Sequence, residues 1–383
     1  MTTPIKAYLG AHIHDGQHLF EDHALVVSSS SGFRIERAET LAPDMLVEHL
    51  DGGLITPGFV DLQVNGGGGV MFNDAPSVDT LRIIAEAHAS LGTSAFLPTL
   101  ITDTPEATKA AITAVEAAIK ERVSGIAGLH LEGPHLSVAR KGAHDPALIR
   151  PMQETDLAML RDAAERLPNV MVTIAPENTT CAQIREMSAA GILVSLGHTD
   201  ADHATCHAAF DAGARCVTHL FNAMSQLGSR EPGLVGATLE RDDIHAGLIA
   251  DGVHVHPATI KVALAAKPNS EQIFLVTDAM ATAGSKVDRF KLNGRNVFRH
   301  DNRLTLADGT LAGAHLSLPQ AIGTMTKAVG DTAQQAITRA TATPAALLRD
   351  RGGAGRFDAS TRFANYFADV ATDPAVTMRL SVP

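Results

Sequence analysis

Eight short apolar segments in the middle of the chain constrain its fold more than any other feature. They are rich in β-branched residues, and most of them are separated by stretches with a helical pattern. Near-continuous apolarity over such lengths is typical of strands buried on both faces of a parallel sheet. The segments are 59–64, 93–99, 126–133, 170–177, 193–199, 216–222, 245–251 and 273–279. Strand–helix alternation repeated eight times predicts an α/β fold, a (β/α)8 TIM-like barrel.

The segment 104–123 has the clearest helical pattern. Thr104 is a favourable N-cap, Pro105 is a favourable first helical residue, and apolar residues then recur along one helical face. Weaker patterns predict helices at 78–91, 154–167, 182–190, 201–212 and 258–266. The connection 223–243 contains several glycines and a proline, and we predict that it is largely loop.

The two chain ends depart from this pattern, and we expect them to form one small β domain beside the barrel. Turn signals such as Asp15-Gly16 separate short β-like runs near the N-terminus, and residues 376–381 alternate in polarity. The expected division is a small β domain of residues 1–55 plus 350–383 and a catalytic barrel of residues 56–349. The alternative is a pair of unrelated tails.

An insertion follows the eighth apolar segment. The dipeptides Asn293-Gly294 and Asp308-Gly309 favour tight turns, so we predict one or two β-hairpins near 286–313. Helices are predicted after the insertion, at 316–329 and 332–349.

Charge and cysteine content exclude several classes of partner. Lys and Arg total 31 against 42 Asp and Glu, a formal net charge of −11, and no basic block is present. Such a chain is poorly suited to bind nucleic acid or an anionic membrane.

No apolar stretch is long enough to span a bilayer, and the N-terminus lacks the layout of a signal peptide. With three cysteines, an odd number, the pattern favours free thiols and a cytoplasmic location.

Polar side chains lie at or just beyond the ends of most of the eight apolar segments. Active sites of such barrels lie at the carboxyl ends of the strands, so we expect these side chains to converge on one mouth. They are Gln63, Asn65, Glu132, Glu177, His198, His219, His254 and Asp278.

Three of these residues form a plausible metal site. Two neutral imidazoles, from His198 and His219, with the carboxylate of Glu132 suit Zn²⁺ and leave a position for water, which the metal would acidify. The spacing of these three residues forms no local motif, so the metal-site hypothesis depends on their positions at the strand ends. Taken alone, each histidine could instead be a hydrogen-bonded structural residue. Asp278 could transfer protons at such a site, or it could cap the next segment or pair with an arginine.

Two loops carry cationic groups near the expected mouth. Residues 140–144 read Arg-Lys-Gly-Ala-His, and residues 230–233 read Arg-Glu-Pro-Gly. Arginine binds phosphate with forked hydrogen bonds, so these loops suggest an anionic substrate, with solvated loops as the alternative. The four glycines at 66–69 lack the context of a nucleotide-binding motif.

Nine segments together resemble the N-acetylglucosamine-6-phosphate deacetylases of the amidohydrolase superfamily. They follow the family order along about 220 residues, and LEGP, THLFNAM and REPG are the most specific of them. The segments are PGFVDLQVNGGGG (57–69), LHLEGPHL (129–136), KGAHDP (141–146), APE (175–177), SLGHTDAD (195–202), THLFNAM (218–224), REPGLVGA (230–237), DGVHV (251–255) and LVTDAM (275–280).

The resemblance implies a metal-dependent enzyme that hydrolyses N-acetylglucosamine 6-phosphate to glucosamine 6-phosphate and acetate. It implies that the metal ligands are Glu132, His198 and His219. It also implies that Asp278 is the general base and acid, and that His144 helps to polarise the amide carbonyl. Contacts to the sugar phosphate would come from Asn222, Ala223, Arg230 and His254. In the family, the counterpart of Arg230 reaches in from the neighbouring subunit, which implies a homodimer.

The first strand bears on the number of metal ions. Many amidohydrolases carry His-x-His there and hold two metals, whereas this chain has Gln63 and Asn65. The resemblance therefore implies one divalent ion per subunit, with Zn²⁺ favoured and Fe²⁺, Mn²⁺ or Co²⁺ as alternatives. Two stretches depart from the family pattern, at 313–316 and at 363–366 in the tail.

Two other functions remain open at this point. One is a different amidohydrolase, such as a D-amino-acid deacylase or a cyclic-amide hydrolase, and the other is a catalytically silent barrel with an interaction role.

Overall fold

The eight predicted strands form one all-parallel sheet that curls into a barrel, which confirms the expected fold class. The computed structural model describes residues 5–29, 31–358, 361–369 and 375–381. The strands are neighbours in chain order, and the first meets the last through pairing of Val64 with Ala279. They are β1 (Phe59–Val64), β2 (Thr93–Ile101), β3 (Leu129–Glu132), β4 (Val170–Ile174), β5 (Leu193–Leu196), β6 (Cys216–Val217), β7 (His245–Leu248) and β8 (Ile273–Leu275).

Several strands end earlier than their apolar segments predict. β5, β6 and β8 end two or three residues before His198, His219 and Asp278, whose φ angles are 49°, 33° and 51°. A left-handed backbone cannot continue a strand and is uncommon for residues other than glycine. The chain therefore turns at the residues that were expected to carry the chemistry.

Helices follow the strands and pack around the barrel. Among the described residues no helix is both long and apolar enough to cross a membrane. The helices are α1 (Val78–Ser90), α2 (Pro105–Lys120), α3 (Glu154–Arg166), α4 (Cys181–Ala189), α5 (His203–Asp211), α6 (Gly233–Glu240), α7 (Pro257–Ala266), α8 (Leu318–Thr324), α9 (Ala333–Ala340) and α10 (Ala342–Ala346). Single 3-10 turns lie at Ala38–Thr40, Val138–Arg140 and Ser270–Gln272, and a π turn at Met325–Val329 continues α8.

The predicted helix starting after Thr104 is confirmed, and two other helix predictions need correction. The Thr104 hydroxyl accepts a hydrogen bond from the Ala107 amide at 3.2 Å, as expected of an N-cap. The connection 223–243 was expected to be largely loop, but it contains α6. The predicted single helix 332–349 is two helices, because the backbone at Thr341 leaves the helical region with φ −131° and ψ −87°.

The insertion after β8 is an antiparallel sheet of four strands in chain order. Its first turn is at Asn293 and Gly294, both with positive φ, as the sequence predicts. The guanidinium of Arg295 donates to the Ala143 carbonyl, so the insertion lies against the loop after β3. The strands are Arg289–Leu292, Arg295–His300, Arg303–Thr305 and Leu311–Ala314.

The two chain ends share a sheet beside the barrel. Phe363–Phe367 pairs antiparallel with Leu54–Pro57, and Met378–Ser381 extends the same sheet. His12–His14 and Leu19–Phe20 complete its five strands. A second sheet of four strands is formed by Ile5–Leu9, His23–Ser28, Gly32–Arg37 and Leu46–His49, and a short hairpin by Gly66–Gly67 and Val70–Met71.

The division at residues 55 and 350 stays a prediction. The portions of the predicted small domain at 1–4, 30, 359–360, 370–374 and 382–383 lie outside the described residues.

Candidate metal and catalytic site

Three side chains meet at one point at the mouth of the barrel. The Nε2 atoms of His198 and His219 lie 3.1 Å apart, and Oε1 of Glu132 is 3.2 Å and 3.0 Å from them. All three residues are buried, although 87 positions separate Glu132 from His219. The barrel therefore brings together the trio that the strand ends predicted.

The donor set and its spacing fit a divalent cation. Ligands about 2.1 Å from a tetrahedral ion lie about 3.4 Å from each other, close to the distances in this triangle. Nδ1 of His198 contacts the Arg140 carbonyl at 2.8 Å, and that oxygen can only accept a hydrogen bond. The proton of a neutral His198 is therefore on Nδ1, so its Nε2 presents a lone pair to the other two ligand atoms, as metal-binding histidines do.

The charge of each of the three ligands depends on its contacts with the other two. Burial alone would raise the pKa of Glu132, but its close contacts with His198 and His219, which favour the carboxylate whenever a ring is protonated, outweigh burial and hold that pKa well below its usual range. Burial alone would lower the pKa of His219, yet the hydrogen bond to Glu132 raises it. A positive charge between these groups, whether a proton or a metal ion, is therefore favourable.

Asp278 lies beside the trio and is linked to it by an amide. Nε2 of Gln63 donates to Oδ1 of Asp278 at 3.1 Å and to Oε1 of Glu132 at 3.2 Å. Asn65 also donates to Oδ1 of Asp278, at 2.6 Å. Burial and the charge of Glu132 raise the pKa of Asp278 to about 6, which is close to the range suited to a general base.

His144 lies beside Glu132 and His198, and its ring centroid is 4.3 Å from that of His198. Its Nε2 is 3.8 Å from Oε2 of Glu132, and its Nδ1 is 2.8 Å from the hydroxyl of Thr102. Burial and the charge of His198 hold the pKa of His144 well below its usual value, so the ring is neutral. Thr102 was not singled out in the sequence, because a hydroxyl at the end of β2 carries no motif.

A cavity of about 390 Å³ opens over these groups. Asn222, Ala223 and His254, the expected contacts to the sugar phosphate, are among the residues that line it. Nδ1 of His254 is 2.6 Å from Oδ2 of Asp251, which orients the ring. Ala223 has a φ of 50°, so its backbone is in the left-handed region, like that of His198 and His219.

The loop residue Arg230 and the strand-end residue Glu177 do not line the cavity. Arg230 is exposed and is not among the lining residues. Glu177 accepts hydrogen bonds from the Thr199 hydroxyl at 2.5 Å and the Asp200 amide at 2.7 Å, so it supports the loop after β5. The expectation that all the strand-end side chains face one mouth is therefore wrong for Glu177.

The insertion contributes residues that the sequence did not indicate. Thr310 and Leu311 line the cavity beside Gly313. The only sequence feature that could have indicated Thr310 and Leu311 is the position of the insertion after β8, because loops at this end of a barrel commonly carry functional residues. Arg140 also lines the cavity, but its guanidinium pairs with Asp200 at 2.7 Å.

Comparison with known proteins adds a family and several relatives. Residues 54–358 match the family model described as the amidohydrolase family. The chain is 43% identical over 302 residues to an N-acetylgalactosamine-6-phosphate deacetylase of Shewanella sp. (strain ANA-3), covering 78% of this chain and 75% of the relative. It is 38% identical over 276 residues to an N-acetylglucosamine-6-phosphate deacetylase of Haemophilus influenzae, covering 71% of each chain.

Among solved structures, the fold matches a crystal structure of N-acetylglucosamine-6-phosphate deacetylase from Pasteurella multocida. The TM-score is 0.92 at 32% sequence identity, and the match covers 98% of both chains.

Proposed function

Because the chain belongs to the amidohydrolase family, we propose that it hydrolyses the N-acetyl group of N-acetylglucosamine 6-phosphate to give glucosamine 6-phosphate and acetate. The observation that carries this proposal is the buried triangle of Glu132, His198 and His219 beside Asp278. A catalytically silent barrel would have no need to keep these groups buried around one cavity.

The trio would hold one divalent ion, with Zn²⁺ favoured by two imidazoles and a carboxylate, and Fe²⁺, Mn²⁺ or Co²⁺ as alternatives. When bound, the ion supplies Lewis acidity to the acetyl carbonyl and to the attacking water. The amide of Gln63 donates to both Glu132 and Asp278, and an amide is a poor metal ligand beside imidazole or carboxylate. This contact supports one ion per subunit.

Asp278 moves the proton. As a carboxylate it accepts a proton from water as the water oxygen bonds to the acetyl carbon. When the carbon–nitrogen bond breaks, it gives this proton to the departing amine. Its raised pKa keeps the protonated form accessible near neutral pH, so one residue can serve in both steps.

His144 donates a hydrogen bond to the acetyl carbonyl. The 2.8 Å contact with Thr102 is short enough for the Thr102 hydroxyl to donate to Nδ1. Nε2 of the neutral ring then carries the proton and faces the cavity. A donor placed there would stabilise the oxyanion as charge develops on the oxygen.

The phosphate end of the substrate would be held by His254, Asn222 and Ala223 together with Arg230 of the partner subunit. Arg230 is exposed in its own chain, and Leu227 close to it exposes 56% of its surface. An arginine and an apolar side chain on one exposed loop suit a homodimer contact that completes the neighbouring site. The buried free thiols of Cys206 and Cys216 support a reducing, cytoplasmic location.

Acetate release from metal-loaded protein tests the proposal. We expect release from N-acetylglucosamine 6-phosphate and little from N-acetylglucosamine, because the phosphate contacts would be lost. Absence of acetate would contradict the proposal, and equal turnover without the phosphate would favour another amidohydrolase, such as a D-amino-acid deacylase or a cyclic-amide hydrolase.

N-acetylgalactosamine 6-phosphate is a second candidate substrate, because the 43%-identical relative is named for it. The two sugars differ only in the configuration at C4. Comparison of kcat/KM for the two decides between them, and a higher value for the galactosamine derivative would replace the first substrate with the second.

Mixed dimers test the position of Arg230. Asp278→Asn and Arg230→Ala each remove one part of the site, and the two inactive proteins are unfolded together and refolded as a mixture. If Arg230 acts in the neighbouring subunit, each mixed dimer contains one complete site and activity returns. If it acts within its own chain, no complete site forms and the mixture stays inactive.

A further inference from the structure

A second group of two histidines and a glutamate lies on the outside of the barrel, away from the catalytic cavity. His203 and His207 are four residues apart on α5, so their rings lie on the same face of that helix. Glu240 is the last residue of α6, which packs beside α5. The ligand atoms of all three lie within 4.8 Å of one another.

Both rings point to the same carboxylate oxygen. Nε2 of His203 is 2.6 Å from Oε1 of Glu240, and Nε2 of His207 also contacts this oxygen. The ring centroids lie 4.5 Å apart. The three potential ligand atoms therefore converge on one point, and small rotations of these partly exposed side chains would give the wider spacing that a bound ion needs.

No other cation competes for this carboxylate within the described part of the chain. The neighbouring Arg241 is directed to Asp211 and Asp243 instead. Hydrogen bonds between partly exposed groups contribute little to the stability of the fold. They therefore do not explain by themselves why these three side chains point to one position. The side chains are 31%, 29% and 50% exposed for His203, His207 and Glu240, which leaves room for water to complete a coordination shell.

We propose that His203, His207 and Glu240 form a second metal site that binds a borderline divalent ion such as Zn²⁺, Ni²⁺ or Cu²⁺. Imidazole ligands favour these ions over Mg²⁺ and Ca²⁺, which prefer oxygen. None of the three residues lines the cavity over the catalytic trio, so we assign this site no part in the proposed reaction.

The position of the site gives it a structural role. α5 and α6 flank the segment that carries His219, Asn222 and Arg230. Glu231 already connects this segment to α5, because its carboxylate accepts from the His203 amide at 2.7 Å. An ion bound by His203, His207 and Glu240 would link α5 to α6, the two helices that flank this segment.

Metal counting tests the proposal directly. Chelator-stripped protein is equilibrated by dialysis against Zn²⁺, and the bound metal is measured by elemental analysis. We expect two ions per chain for the wild type, one for His207→Gln or Glu240→Gln, and two for the matched control His300→Gln on the exposed insertion. Variants that bind as many ions as the wild type would overturn the proposal, whatever the occupancy of the barrel-mouth site.

Chemical modification of the unaltered chain gives a second readout. Zn²⁺ should protect His203 and His207 from modification by diethyl pyrocarbonate, located by mass spectrometry, whereas Mg²⁺ should not. Equal modification with and without Zn²⁺ would contradict the site even if the variants failed to fold. Deacetylase activity is not part of either measurement, so the proposed function can fail while this site stands.

Discussion

The protein contains two clusters with the same ligand types in two very different surroundings. Glu132, His198 and His219 are buried at the barrel mouth, on backbone turned into the left-handed region at both histidines. His203 and His207 lie on a regular helix, with Glu240 at the end of another, and are partly exposed. The comparison shows that a ligand set alone does not make a catalytic centre.

The difference lies in what surrounds the ligands. The buried cluster has Asp278 and His144 within reach, and burial strengthens every electrostatic interaction there. The exposed cluster is open to solvent, with 29% to 50% of each side chain exposed. The left-handed backbone at His198 and His219 also distinguishes the buried cluster, since backbone strain is commonly concentrated at functional sites.

The largest expected effect on activity comes from replacing the glutamate of each cluster with glutamine. Glu132→Gln should lower kcat/KM roughly a thousandfold or more, because it removes an anionic ligand of the catalytic ion. Glu240→Gln should leave kcat/KM within about twofold, since the exposed cluster has no part in the proposed reaction. Steady-state kinetics of the two variants checks this, and a comparable loss in both would remove the distinction.

The next effect concerns the acid and base that only the buried cluster has. Asp278→Asn should lower kcat by about 10²–10⁴-fold while the protein keeps its metal. Kinetics combined with elemental analysis separates the two properties. Near-normal turnover would remove Asp278 from the mechanism, and loss of the metal would make it a ligand instead.

A smaller effect is expected from a group that only orients a neighbour. Thr102→Val keeps the shape of the side chain but removes the hydroxyl that contacts His144. We expect kcat to fall about tenfold, with KM and metal content little changed, and Thr102→Ser to restore the rate. A rise in KM with normal kcat would place Thr102 in substrate binding rather than in the orientation of His144.

The smallest effect is a shift in pH dependence. Asp278 must be ionised to act as a base, so kcat/KM should fall as the pH drops through its pKa of about 6. The hydrogen bond from Asn65 favours the ionised form, so Asn65→Leu should raise this pKa and move the acid limb upward by about one pH unit. A pH–rate profile that stays in place or moves to lower pH would contradict this assignment.

The buried site could largely be predicted because its residues follow apolar strands. The position of His198 or His219 just after a buried segment was enough to place it at the carboxyl end of the barrel. The supporting groups could not be found in the same way. Thr102 and Leu311 carry no pattern of their own, and their roles arise from contacts with residues on other loops.

The exposed cluster shows the opposite limit. The spacing of His203 and His207 is visible in the sequence, but a pair of histidines on a helix usually faces solvent without a ligand. Glu240 completes the group only because α6 packs against α5, and that segment was expected to be largely loop.

The amino-acid sequence alone determined the barrel and the main residues of its mouth, because burial on both faces of a strand leaves a local pattern in neighbouring positions. Only the tertiary structure decided which residues that are distant in the sequence come into contact. Closure of the barrel brings Gln63 to Asp278 across 215 positions, helix packing brings Glu240 to two histidines, and the loop after β6 leaves Arg230 exposed. Such distances depend on how whole elements pack, and no short stretch of sequence encodes them.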